Sequence, residues 1–126
     1  MTTNLIEDIE LLERAAHVAG IRLDATKSVP HPISSAFFGL WLTFDGEPPE
    51  GARRYWNPLR DDGDCARLEA ALELDVLWGG DCATVRRLRR EGHITPFERF
   101  CDHNGDKQAA RRRAAVRAAA AFASRT

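Results

Sequence analysis

Four groups of residues in this chain have types and spacings that could carry chemistry. The segment DHNGDK, Asp102 to Lys107, holds the residues with which a histidine activates water beside a metal ion. Such a site needs further ligands downstream, and after Lys107 the chain has no His, Asn, Asp or Glu. The spacing instead predicts a turn of residues that tolerate left-handed backbone, closed by Asp106 as a helix N-cap. Cys65, Cys82, Cys101, His93 and His103 would form a zinc set only if the fold gathered them. Zinc ligands usually come as two close pairs, and here only Cys101 and His103 are close. Cys65 falls on an apolar stripe and reads as a core thiol. Asp61, Asp62 and Asp64 could take a divalent cation, but no alternating ligand pattern with a terminal Glu follows, as a calcium loop requires. Capping of a helix explains these acids more simply.

The fourth group is arginine. Arg86, Arg87, Arg89 and Arg90 form one set, and Arg111, Arg112, Arg113 and Arg117 another. Either could meet phosphates or an acidic protein surface. Consecutive arginines spread around a helix or over both faces of a strand, so they do not all serve one groove. No Gly-rich phosphate loop, Walker sequence or G-x-S-x-G is present. These residues favour a protein that is not an enzyme and carries no metal or cofactor.

Composition sets the bounds. The chain has 126 residues and a formal net charge of -1, which suits one domain and argues against a general DNA-coating protein. The charge is unevenly placed. Residues 1–81 carry 15 acids and 7 bases, and residues 82–126 carry 4 acids and 11 bases. An acidic first helix lying against a basic last one is the favoured account of that split. No apolar run approaches the ~20 residues that span a bilayer, and the acidic N-terminus MTTNLIEDIELLER is unlike a secretion signal. Three cysteines without short repeat spacing fit a reducing compartment. The expectation is a soluble cytoplasmic domain with no membrane partner.

These residues must be positioned by helices and strands. Leu5, Ile9, Leu12, Ala16 and Ala19 share one face of a helix over 4–19, with Asn4 and Glu7 as a capping box and Gly20 as its end. Ile21 to Asp24 alternates like a short strand, and residues 25–36 read as a loop around Pro30 and Pro32. Phe37 to Phe44 is the strongest strand signal, DGEPPEG a connector, and Arg53 to Trp56 the returning strand. Asp61 or Asp62 caps a central helix running to about Leu74, with Cys65, Leu68 and Leu72 as its stripe. Leu74–Trp78, Cys82–Leu88 and Pro96–Cys101 read as three more strands, joined first by Gly79-Gly80. A long Ala-rich helix fills 106–123, with Ala109, Val116, Ala120 and Ala123 as its buried face. Short turns between successive strands favour an α+β class, a mainly antiparallel sheet packed with helices in an α/β/α sandwich-like arrangement.

The stretch Tyr55 to Leu74, YWNPLRDDGDCARLEAALEL, resembles the W-N-P-x-x-D-x-x-D-A-x-x-L-x-x-x-L signature of the phage ABA sandwich family of small phage and prophage proteins. An N-terminal helix with LLERAAHVAGI, the strand GLWLTF and the Ala/Arg helix at the end agree with that pattern, so the resemblance covers most of the chain. Cys65 departs from it, standing where Ala is usual. The resemblance implies a helix–sheet–helix sandwich from a phage or prophage and no transferable activity. Trp56, Asn57, Pro58, Asp61 and Asp62 read as a strand-to-helix corner with an architectural role.

The reading that follows is a phage accessory protein that binds a host or phage protein and modulates host or defence functions. Arg86, Arg87, Arg89, Arg90, Arg111, Arg112 and Arg117 are its candidate contact residues. A nucleic-acid binder using the basic C-terminal third is the alternative. A metal-dependent hydrolase around His93, Cys101 and His103 is a more distant one. A homodimer is compatible with the small-residue helix face and with Trp78.

Overall fold

The computed structural model describes residues 5–23, 40–43, 50, 55–87 and 96–123. Helix α1 spans Leu5–Ala19, α2 Asp62–Leu72 and α3 Lys107–Ala123. The strands are β1 Leu40–Trp41, β2 Tyr55–Trp56, β3 Leu74–Trp78, β4 Cys82–Arg87 and β5 Phe97–Arg99. This is the α+β class. β1 and β2 pair antiparallel, with Leu40 opposite Trp56. β3, β4 and β5 form a separate antiparallel sheet in chain order. The expected helix cap at Asn4, the loop 25–36, the strand ends at Phe37 and Phe44, the DGEPPEG connector apart from Glu50, Arg53, Arg89, Arg90 and His93 lie outside the described residues.

Local chemistry sets the element ends. Gly20 adopts a left-handed φ of +75°. That lets the Ile21 N–H reach the Ala16 carbonyl at 2.9 Å and the Gly20 N–H reach that of His17 at 3.3 Å, the paired bonds of a Schellman ending. α2 stops two residues before the expected Leu74. Glu73 takes the left-handed conformation, φ 54°, without glycine's freedom. The apolar residues after it, Leu74 and Val76, are drawn into the sheet and the core. Sheet packing thus overrides the good helix propensity of the Glu-Leu pair. At the other long helix, Asp106 Oδ1 accepts the Ala109 N–H at 3.1 Å.

Helix α3 is the centre of the molecule, packing against α1, α2 and β4. Its alanines allow this, because a methyl side chain lets neighbouring backbones approach. Val116 and Ala119 join Leu12, Ala15 and Ala16 of α1, Leu68 and Leu72 of α2, and Leu40 and Trp56 in one core cluster. Ala114, Ala115 and Ala118 join Cys65 and Val85 in a second. The buried face is therefore wider than expected. Ala110, Ala114, Ala115, Ala118 and Ala119 are all buried alongside Val116 and Ala120, while Ala109 is only half-buried. A helix with neighbours on several sides has no single apolar stripe, which is why the 3.6-residue pattern undercounts it.

Candidate functional site

The corner between β2 and α2 is built around Asn57, which is almost fully buried together with Pro58. Asn57 Oδ1 accepts the Leu59 N–H at 3.0 Å, closing an Asx turn. The Asn57 carbonyl accepts the N–H groups of Arg60 at 3.1 Å and Asp61 at 2.9 Å. The Asn57 N–H donates to Asp64 Oδ2 at 3.0 Å. Asp61 is the N-cap, taking the Asp64 N–H at 2.7 Å, and Asp64 Oδ1 takes Arg67 Nη2 at 2.7 Å. Trp56 is buried in the first core cluster. Asp64 thus ties the strand end to the helix start, a role that its place in an acidic run conceals. The third acid, Asp62, is exposed and takes Arg112, which also binds the Leu59 carbonyl.

The arginines of α3 have intramolecular partners on four different segments. Arg111 forms a two-pronged pair with Glu69 of α2, its Nε at 3.2 Å from Oε2 and its Nη2 on Oε1. The Glu69 hydrogen bond raises the Arg111 pKa further above its ordinary value. Arg112 donates Nε to the Leu59 carbonyl at 2.9 Å and Nη1 to Asp62 at 2.7 Å. Arg113 Nη1 donates to buried Asp8 of α1 at 2.8 Å, with Glu7 at 3.7 Å. Arg117 Nη1 binds Glu98 and, at 3.0 Å, the Phe97 carbonyl of β5. The acidic first helix does lie against the basic last one, and among the described residues Arg86, Arg111, Arg112 and Arg113 of the basic third each pair with an acid from residues 1–81. In the other set, Arg86 pairs across the sheet with Asp75 at 3.2 Å, and Arg87 ends β4.

The DHNGDK segment is a turn. Phe100–His103 forms a single 3-10 turn, and Asn104 and Gly105 follow in left-handed conformations, φ 55° and 79°. His103 Nε2 sits 2.8 Å from Glu98 Oε1, so Glu98 receives both His103 and Arg117. Among the described residues no three His, Cys, Asp or Glu side chains converge on a point that could hold a metal. Cys65 is fully buried, Cys82 half-buried and Cys101 exposed, all as free thiols. Burial, followed by the nearby Glu69 charge, pushes the Cys65 pKa up from 9.0 to about 12. A cleft of about 430 Å³ lies between Arg60, Asp102, His103 and the start of α3. Two of its cations, Arg112 and Arg113, are committed to Asp62 and Asp8.

The outer face of the three-stranded sheet is different in kind. Strand alternation sends Val85 and Ala83 inward against α3 and leaves Leu77, Thr84 and Phe97 in one row across the outside, since Thr84 is opposite both Leu77 and Phe97. Leu77 is 42% exposed and Phe97 52% exposed. Trp78, at the end of β3, is 50% exposed but lies opposite inward Ala83, on the other side of the sheet, where it meets Phe100 with ring centroids 6.1 Å apart. Sequence reasoning singled out Trp78 of these three. Leu77 and Phe97 carry no signal by type, and only the cross-strand register puts them together.

No family model matches the chain, and comparison with the curated proteins and with the solved structures finds no match. No helix among the described residues is long and apolar enough to cross a membrane.

Proposed function

We propose that this is a small accessory protein of a phage or prophage, working without catalysis in the cytoplasm of a bacterial host by binding a host or phage protein. The observation that carries the binding reading is the exposed outer row of Leu77 and Phe97, set side by side through Thr84. Large apolar side chains grouped on one open face favour a protein partner, because their burial drives association and aromatic residues are enriched at the centres of interfaces. The arginines Arg111, Arg112 and Arg117, candidates for the same role, already bind Glu69, Asp62 and Glu98. This weakens the nucleic-acid alternative, which needs free cations for phosphates. The phage setting rests on the W-N-P resemblance alone.

The test is affinity capture from phage-infected cells with the wild-type chain and with Phe97→Asp, which changes the outer face and no core contact. Capture of one defined protein by the wild type and its loss with Phe97→Asp supports the reading. Equal recovery by both forms rejects the sheet face as the contact surface. Alanine at Arg111, Arg112 or Arg117 is unsuitable for this purpose, since each substitution also cuts a tie that holds α3 in place.

A further inference from the structure

The two edges of the three-stranded sheet are treated differently. The outward carbonyl of Phe97 on β5 is taken by Arg117 at 3.0 Å, so that edge is guarded. On the β3 side, Asp75 is opposite Arg86 and Leu77 opposite Thr84, and the Gly79 N–H donates to the Cys82 carbonyl at 2.8 Å. Antiparallel alternation then turns the backbone groups of 75, 77 and 79 toward β4 and those of Leu74, Val76 and Trp78 away from it. Among the described residues nothing hydrogen-bonds the outward groups of Val76 or Trp78. Natural edges are usually blunted by Lys, Pro or a bulge. The sequence LDVLW has none of these, and its single charge, Asp75, is neutralised by Arg86 at 3.2 Å.

We propose that this edge pairs with the same edge of a second copy, antiparallel about a two-fold axis through Val76, to make one six-stranded sheet. Self-pairing is favoured because the strand is complementary to itself in one register. Only registers that set outward residues against outward residues satisfy both edges. The one centred on Val76 uses all three in each copy: Leu74 against Trp78 of the second copy, Val76 against Val76, Trp78 against Leu74. It makes three hydrogen-bonded pairs, about six backbone bonds. Half-exposed Trp78 is covered by an apolar neighbour. On the outer face Asp75 falls opposite Leu77 of the second copy, so the two carboxylates do not meet and each keeps its Arg86. The two Leu77 side chains come side by side, joining both outer rows into one apolar band. The β3 edge and the outer face are separate surfaces, and this inference does not depend on the partner reading.

The register is tested by charge at position 77, where the exposed side chain leaves the core untouched. Sedimentation equilibrium of the full chain, from low micromolar to millimolar, is expected to show a reversible wild-type dimer. Leu77→Lys sets an ammonium opposite Asp75 and keeps the dimer. Leu77→Asp sets like charges opposite each other twice and weakens it about tenfold relative to Leu77→Lys. Val76→Pro, which removes the donor at the axis, abolishes it. Far-ultraviolet circular dichroism checks that each variant is folded, and the two position-77 variants carry the test if Val76→Pro unfolds. A wild-type monomer throughout overturns the proposal, as do equal effects of Leu77→Asp and Leu77→Lys. Phe97→Asp leaves the dimer intact, so failure here and failure of the partner reading are told apart.

Discussion

Replacing Asp64 with Ala should be among the most damaging single changes at the protein's polar positions. The side chain is only 2% exposed overall, and its two oxygens hold separate groups. Oδ2 accepts the N–H of buried Asn57 at 3.0 Å. Without that acceptor, a buried donor is left unsatisfied at a cost of about 1–3 kcal/mol. Oδ1 accepts Arg67 at 2.7 Å, but the Arg67 side chain is 63% exposed, so this ion pair adds at most about 1 kcal/mol. The expected loss is about 1–4 kcal/mol. With a urea slope of about 2 kcal/mol per molar, the unfolding midpoint falls by about 0.5–2 M at an unchanged slope. Asp64→Asn keeps an oxygen for Asn57 and loses only the charge toward Arg67, so it should cost about 1 kcal/mol. Urea unfolding followed by tryptophan fluorescence measures all three forms. An Ala variant within about 0.5 kcal/mol of wild type, or Ala and Asn variants of equal stability, would refute the corner as a hydrogen-bonded device and leave it a matter of packing.

Two further outcomes follow from the charges and thiols of α2 and α3. Arg111→Ala strands the Glu69 carboxylate beside buried Cys65 and should cost about 2–4 kcal/mol, while Glu69→Leu with Arg111→Met, which removes both charges, should restore most of it. A double variant as unstable as the single one in urea unfolding contradicts that account. The raised pKa of Cys65, about 12, means that the folded state keeps its proton where the unfolded thiol has lost it. Its contribution is complete below pH 9. From there toward pH 12 stability falls, at up to about 1.4 kcal/mol per pH unit. Cys65→Ala lacks this decline, so the stability gap between wild type and Cys65→Ala should shift steadily toward the variant over that range. A gap independent of pH would mean that Cys65 ionises as easily folded as unfolded.

Much of the α+β arrangement can be read from residues whose local preference agrees with the final packing. The three helices, the glycine ending of α1, the Asp106 cap and the antiparallel order of β3, β4 and β5 are of this kind. Misjudged features depend on distant partners. α2 ends early because Leu74 and Val76 are needed by the sheet. The buried face of α3 is broad because several elements crowd one helix, and alanine does not announce which neighbour it will meet. The α3 arginines look available in the sequence because their carboxylates lie up to 105 positions away, as with Asp8 and Arg113. Asp64 was hidden for a related reason. Three nearby acids have the same composition, and only backbone geometry separates the cap Asp61 from the acceptor Asp64 and the exposed Asp62. The row of Leu77 and Phe97 arises from strand register across two turns.

The position of α3 in the chain also bears on how the protein comes to be folded. The carboxylates of α1 and α2 find their cations on a segment that is synthesised after them, and α3 supplies side chains to both apolar clusters. A growing chain that has reached residue 100 therefore lacks the alanines that complete both clusters and the arginines that pair with Asp8 and Glu69. Closure is a late and concerted event that links early residues to late ones, which is a topology expected to slow folding.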